Sequence, residues 1–390
     1  MNDRAKITSV LVKPVSADCN LACQYCFYSS KAALYPETKR HMMSEYVLRW
    51  LTAQVMGLSY ERVSFCWQGG EPTLAELEFY QKAVKYQDLF GLPGQIVENS
   101  LQTNGTLIDK EWAKFLARYN FLVGVSLDGS QEVHDHYRKD HAGGSSYKRV
   151  MSGIEWLKRY DVDFNILVLL NSYNVRHPKE LYQFLIKQDF QYLQFIPCVE
   201  KNRGDIGIAD FSITPEQYGQ FLCTVFDMWT IEEIPQVYIR EFEDILIAYV
   251  TGEAPICTFS RECNKYIVVE YNGDVYPCDF YVEPRWLLGN LIKQPLEEIV
   301  AGEKFTEFRS RKAKITQKCG GCPWLEYCHG GCPKHWSVLD LDRNYFCSSY
   351  QMLFKHSHHK FLRLKHLIET KKALRREGCG KTKYTHGHHA

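Results

Sequence analysis

Three cysteines near the start, Cys19, Cys23 and Cys26, stand in the run Cys-Asn-Leu-Ala-Cys-Gln-Tyr-Cys-Phe-Tyr, a C-x3-C-x2-C spacing with no fourth cysteine nearby. Thiolate sulfur is the ordinary ligand of cubane iron–sulfur clusters. Three thiolates hold three irons of a [4Fe–4S] core and leave the fourth iron open to a small molecule. Structural zinc wants four protein ligands in a closed shell, and only three stand here. Tyr25 and Phe27 flank the last cysteine and can shield a reduced cluster from water. A second set runs Cys257, Cys263, Cys278, Cys319, Cys322, Cys328, Cys332 and Cys347. Within it, C-x9-G-x4-C passes through Cys263, Gly273 and Cys278, and C-x2-C-x5-C-x3-C follows. Eight thiolates are the number two fully ligated [4Fe–4S] clusters require, although C-x2-C pairs also bind zinc.

Composition limits the setting for such chemistry. The chain has 390 residues, 15 of them cysteine, and begins with a polar, charged stretch from Met1 to Thr8 that lacks an apolar signal region. Disulfide frameworks belong mainly to small secreted domains, so these cysteines read as metal or redox groups of a cytoplasmic protein. The longest strongly apolar stretch, Phe164 to Leu170, is far too short to cross a bilayer, so no membrane partner is expected. A formal net charge of +1 makes no case for nucleic acid. With 45% hydrophobic residues the chain can bury large cores, and its length suggests two or more domains. Cys66, Cys198 and Cys223 sit in apolar contexts typical of buried thiols, and Cys379 is left over. The end of the chain is basic and rich in histidine (His356, His358, His359, His366, His386, His388 and His389). Such tails are usually mobile and solvated, with one surface helix predicted over Lys360–Arg376.

The elements that must position the first motif alternate in type. Apolar, β-rich runs at Ile7–Val15, Val63–Trp67, Gln95–Leu101, Leu122–Leu127, Phe164–Leu170 and Tyr192–Ile196 are separated by amphipathic stretches. Helices are predicted near Ser44–Met56, Glu76–Phe90, Asp109–Tyr119, Tyr147–Tyr160 and Pro178–Gln188. This alternation implies right-handed βαβ units around a parallel sheet. It fits an open doubly wound sheet as well as a partial barrel. Further on, Tyr266–Glu270, Asn272-Gly273 and Val275–Tyr276 read as a hairpin with a tight turn.

In parallel α/β folds functional residues gather at the carboxyl ends of strands. The cysteine run follows the first strand, Gln68-Gly69-Gly70-Glu71-Pro72 the second, Gln102-Thr103-Asn104-Gly105 the third and Ser126-Leu127-Asp128-Gly129 the fourth. Each later motif taken alone reads as an ordinary turn. Together with the cysteine run they resemble the radical SAM enzymes, in which S-adenosylmethionine chelates the open iron. That resemblance selects the partial (β/α)6 barrel, and it implies Tyr25, Gly70, Ser126, Arg138 and Val199 as contacts of S-adenosylmethionine. Arg138 carries a guanidinium fork suited to the cofactor carboxylate. Asp135 and His136 are expected to orient their loop rather than react.

The second cysteine set resembles the SPASM extension, the auxiliary-cluster domain of radical SAM enzymes that act on peptides and proteins. The expected organisation is residues 1–235 as the barrel, 236–355 as the SPASM domain and 356–390 as the basic tail. By resemblance, Cys257, Cys263, Cys278 and Cys332 hold one auxiliary cluster, and Cys319, Cys322, Cys328 and Cys347 the other. Three [4Fe–4S] clusters and S-adenosylmethionine are thus the implied cofactors. The segment Tyr276-Pro277-Cys278-Asp279-Phe280-Tyr281-Val282 closely resembles the anaerobic sulfatase-maturating enzymes, in which the aspartate is the catalytic base. The implied reaction oxidises a cysteine or serine of a sulfatase to Cα-formylglycine: the 5′-deoxyadenosyl radical takes the β-hydrogen and Asp279 the thiol or hydroxyl proton. The implied partners are a sulfatase polypeptide and an electron donor such as flavodoxin or ferredoxin, with the enzyme a monomer. Two other readings cover part of the pattern. One is a SPASM maturase that crosslinks a ribosomal peptide, though only six residues precede the first strand where such enzymes often carry a recognition domain. The other is a non-enzymatic electron carrier, which needs no open iron.

Overall fold

The apolar runs become strands of one sheet in the computed structural model, which describes residues 7–202, 207–314, 317–336, 338–339 and 343–379. β1 (Ser9–Lys13), β2 (Arg62–Trp67), β3 (Ile96–Thr103), β4 (Leu122–Ser126), β5 (Phe164–Leu170) and β6 (Tyr192–Pro197) pair in parallel, each with its successor. Helices α1 (Glu45–Met56), α2 (Glu76–Phe90), α3 (Lys110–Arg118), α4 (Gln131–Tyr137), α5 (Tyr147–Arg159) and α6 (Pro178–Lys187) fill the crossovers. A doubly wound sheet reverses its strand order at a switch point. Here the order β1-β2-β3-β4-β5-β6 has no reversal, so the winding is that of a partial (β/α)6 barrel.

Local signals set the helices. Ser44 caps α1 by accepting from Val47 N, and Asp109 caps α3 by accepting from Glu111 N and Trp112 N. α1 then buries Val47, Leu48, Leu51 and Val55, spaced along one face. The short α4 was not foreseen: its residues carry no apolar stripe, and the sequence reads there as loop.

The sheet continues past the barrel on both edges. After α7 (Pro215–Trp229), β7 (Tyr238–Ile239) joins β6, and α8 (Arg240–Thr251) follows. At the opposite edge the predicted hairpin forms from β8 (Ile267–Glu270) and β9 (Asp274–Tyr276), with Gly273 at φ 89° in the turn, where a side chain would be strained. β8 pairs in parallel with β1, and β10 (Gly289–Asn290) closes the edge, giving ten strands among the described residues. The hairpin therefore extends the barrel sheet. Leu11, Tyr28, Val268, Tyr276 and Val282 form a small buried core where hairpin and cysteine loop meet.

Beyond it come α9 (Leu296–Ala301), α10 (Glu303–Arg309), α11 (Gln317–Gly320), α12 (Leu325–Cys328) and the long α13 (Cys347–Cys379). α13 corrects the expectation of a solvated tail. Phe354, Ser357, Phe361 and Leu364 repeat at helical spacing and are buried, with Phe361 packed on Phe226 and Tyr249. Burying one such phenylalanine contributes about 1.5–3 kcal/mol. His356 and His358 are engaged by Asp227 at 2.7 Å and Tyr249 at 2.8 Å. His386, His388, His389 and the side chain of Cys379 lie outside the described residues. No described helix is long and apolar enough to cross a membrane.

Candidate active site

Leaving β1, the chain turns back over the barrel mouth and is pinned from several sides. His41 donates its backbone N–H to Asp18 Oδ2 at 2.7 Å, and its Nδ1 lies 2.7 Å from Oδ1. Gly70 N donates to Ser16 O at 2.6 Å and Glu71 N to Asp18 O at 2.7 Å. A Cβ on Gly70 would stand 1.9 Å from the Asp18 carbonyl oxygen, so only glycine permits this approach. Glu71 is wholly buried and accepts from Thr73 N, Thr73 Oγ1, Thr103 Oγ1 and Asn104 N, which ties the end of β2 to the end of β3. From there Asn104 Nδ2 reaches Asn20 Oδ1 at 2.8 Å and faces Cys19 Sγ at 3.8 Å. Leu21 N also donates to Cys19 Sγ, at 3.4 Å.

Burial pushes Cys19 up to about 12, with Glu71 and the neighbouring thiols adding to the shift, and pushes Cys23 up to about 11 against the opposing charge of Arg138. Such thiols resist ionisation unless a cation compensates them, which is the service irons of a cluster perform.

Tyr25 and Arg138 converge on Asp128, which in the sequence stands in an ordinary Asp-Gly turn. The Tyr25 hydroxyl donates to Asp128 Oδ2, and Arg138 Nε lies 3.2 Å from the same oxygen. Leu169 N donates to Asp128 Oδ1 at 3.1 Å. His134 accepts from Asp128 N through Nδ1 and meets the Ser146 hydroxyl through Nε2, and that hydroxyl donates to Arg138 O at 2.6 Å. Burial lowers His134 to about 4, so it acts as a neutral strut. Asp135, as expected, orders its loop by accepting from Ser145, Ser146 N and Tyr147 N. His136 stacks on Tyr173. Ser126 lies at the same rim, accepting from Gln102 Nε2 at 3.3 Å, while Val199 follows β6 and is wholly buried.

The downstream cysteines fall into two neighbourhoods. Cys257, Cys263 and Cys278 are each raised by burial and then by Cys332 among their neighbours. Cys328 feels Cys347 and Cys322, and Cys347 feels Cys319 and Cys322. Cys319, Cys322, Cys328 and Cys347 line one apolar hollow with Trp324, Tyr350 and Phe354. Buried Lys312 donates to the carbonyls of Cys257 and Thr258 at 2.9 and 2.8 Å and is felt in both neighbourhoods. Each neighbourhood is an all-thiol set of four, the donor chemistry of a cubane cluster. Of the remaining thiols Cys198 is buried as expected, whereas Cys66 and Cys223 are only half-buried.

Asp279 sits between these regions. It is 7% exposed and accepts from Tyr266 OH at 2.9 Å through Oδ1, which also lies 3.5 Å from Cys278 Sγ. Its neighbour Phe280 packs on Phe27 of the first motif, with ring centroids 4.8 Å apart. Asp279 is thereby held at the junction of the first cysteine loop and the Cys278 neighbourhood. Asp128, Glu71 and Tyr266 were missed at the sequence level; a carboxylate directly after an apolar strand was the available signal for Asp128.

Comparisons with known proteins follow the same division. The pattern of the Radical SAM superfamily matches residues 14–185, and that of an iron–sulfur cluster-binding domain, SPASM, matches residues 257–323. The chain is 39% identical over 372 residues to a serine-type anaerobic sulfatase-maturating enzyme of Bacteroides thetaiotaomicron, covering 90% of each chain. It is 38% identical over 356 residues to a cysteine-type enzyme of Clostridium perfringens, covering 90% of this chain and 96% of the relative. Among solved structures, native anSMEcpe with bound AdoMet and Cp18Cys peptide superposes with a TM-score of 0.85 at 36% identity, covering 92% of this chain and 99% of that one. Streptococcus suis SuiB bound to its precursor peptide SuiA shares the fold, with a TM-score of 0.63 at 16% identity.

Proposed function

Because this chain belongs to the anaerobic sulfatase-maturating enzymes of the radical SAM superfamily, we propose that it oxidises a cysteine or serine of a sulfatase to Cα-formylglycine with Asp279 as proton acceptor. The observation that carries the role of Asp279 is its placement. Oδ1 faces both Tyr266 and Cys278, and Oδ2, which makes no hydrogen bond among the described residues, would take the substrate proton. Cys19, Cys23 and Cys26 would hold the cluster with the open iron. Cys257, Cys263, Cys278 and Cys332 would hold the nearer auxiliary cluster, and Cys319, Cys322, Cys328 and Cys347 the other. Tyr25, Gly70, Ser126, Arg138 and Val199 would contact S-adenosylmethionine. When bound, the first cluster and S-adenosylmethionine supply a carbon-centred radical that removes one hydrogen atom.

What the chain's own residues contribute is arrangement. Asp128 fixes Tyr25 and Arg138 relative to the cysteine loop. Phe27 and Phe280 pack together and tie the first cysteine loop to the Asp279 segment. Asp279 takes the thiol or hydroxyl proton, without which loss of the hydrogen atom leaves the oxidation incomplete. The auxiliary clusters that the two sets of four cysteines would hold would accept the remaining electron, and a flavodoxin or ferredoxin would be the external donor. We place this monomeric enzyme in the cytoplasm, where reducing conditions keep the thiols available.

Mass spectrometry of sulfatase peptides, one with cysteine and one with serine at the target, tests the proposal after anaerobic incubation with enzyme, reductant and S-adenosylmethionine. The expected product is an aldehyde trapped by a hydrazide reagent, with the mass change telling thiol loss from dehydrogenation. A crosslinked peptide without aldehyde would overturn it.

A further inference from the structure

β1 carries its burial through to a charged residue: Val10, Leu11 and Val12 are buried, and so is Lys13 at 1% exposure. The parallel register sets Lys13 beside Glu270, the last residue of β8, which is also wholly buried. The Lys13 ammonium stands 4.1 Å from the centroid of the Tyr28 ring, and the Tyr28 hydroxyl donates to Glu270 Oε1. Tyr28 lies two residues after Cys26, and β8 leads through β9 to Cys278 and Asp279. Lys13 therefore stands between the first cysteine loop, which its ammonium meets at Tyr28, and β8, the strand that leads on to Cys278. Burial lowers the Lys13 pKa, and the charges of Asp279, Glu270, Cys278 and Cys26 oppose that, in this order. Removing an ammonium from water is costly unless opposite charge surrounds it, and here the surrounding charge comes from the candidate base and the candidate cluster ligands.

We propose that Lys13 is a positioning residue that sets the charge balance at this junction and makes the cluster bound beside it easier to reduce, with Glu270 acting in the opposite sense. The inference rests on the cysteine assignment above. Its reason is Coulombic: reduction adds negative charge to a cluster, and a fixed cation in dry surroundings favours the more negative state. A neighbouring carboxylate disfavours it.

Redox titration of the full-length reconstituted protein, followed by electron paramagnetic resonance, measures this without turnover. Lys13→Met keeps the length of the side chain and removes its charge, and should move one midpoint to lower potential. Glu270→Gln should move the same midpoint higher, and Lys13→Arg should hold it near the parent value. Iron and sulfide are counted in every sample. A parent protein that takes up no clusters would sink the cysteine assignment itself. Clusters present at full content in Lys13→Met with unchanged midpoints would overturn only the role of Lys13. Should Lys13→Met lose iron, Glu270→Gln decides by its sign: a shift upward supports the inference, and no shift or a downward one rejects it.

Discussion

Asp279 has one oxygen committed to Tyr266 and one open, so its charge state and its geometry can be separated by substitution. Asparagine keeps the shape and loses the basicity. Asp279→Asn should leave S-adenosylmethionine cleavage near the parent rate, because Tyr25, Arg138 and the first cysteine loop are untouched. Formylglycine yield should fall by roughly 10²–10⁴-fold, the usual contribution of a positioned base. Chromatography of 5′-deoxyadenosine and mass spectrometry of the peptide measure the two separately, with iron content checked alongside. Near-normal aldehyde formation at full iron content would exclude Asp279 as the base. Asp128 acts one step further back, since it holds Tyr25 and Arg138 with one oxygen. Asp128→Asn removes charge from both bonds, each worth about 1.5–3 kcal/mol. The apparent affinity for S-adenosylmethionine, followed by its perturbation of the reduced-cluster spectrum, should drop roughly 10- to 100-fold. An unchanged titration curve would show that Arg138 and Tyr25 hold their places without it.

At the scale of elements, the loop after β1 and the turn after β2 fit backbone against backbone. Gly70 is the contact point, with 1.9 Å between a notional Cβ and the Asp18 oxygen. Gly70→Ala must push the cysteine loop outward, and no flexible side chain is there to yield. The expected result is selective loss of the cluster at Cys19, Cys23 and Cys26, read as about eight irons retained out of about twelve, the content of two cubanes out of three. Full iron with normal cofactor cleavage would mean that the loop adapts. The strand pairing of β8 with β1 works the same way for the other half of the site. Lys13 and Glu270 oppose each other only because those strands are in register.

Across the described part of the molecule, eleven of the 15 cysteines are the proposed cluster ligands, three at the barrel mouth and eight beyond it. The first loop hangs from β1 and β2, while the other cysteines lie before and after the hairpin, among them those on α11 and α12 and at the start of α13, with β8 joined to β1 between them. Replacing Cys19, Cys23 and Cys26 by alanine should abolish 5′-deoxyadenosine formation while leaving about eight irons and about eight sulfides in place. Continued cleavage of S-adenosylmethionine by that triple variant would remove the assignment of the open iron. Stoichiometric zinc in the parent protein, without charge-transfer absorption, would remove the cluster assignment altogether.

What the sequence by itself determined was local. Cysteine spacing along short loops fixes which sulfurs can share a cluster edge, so Cys19, Cys23 and Cys26 were legible as a set. The strands of the barrel were legible because their buried faces demand continuous apolar residues, and the hairpin because Gly273 must take a positive φ. The division of the eight later cysteines came from resemblance, since spacing alone allows other pairings. The alternation of strands and helices fits two windings; resemblance selects the barrel, and strand order without a reversal bears it out. Long-range juxtaposition was invisible for a physical reason: a buried charge is stable only through partners that tertiary structure supplies. Asp128 reads as a turn until Tyr25, 103 positions away, donates to it. Lys13 reads as the end of a strand until β8 brings Glu270 beside it, and α13 reads as a solvated tail until α7 and α8 receive its apolar stripe.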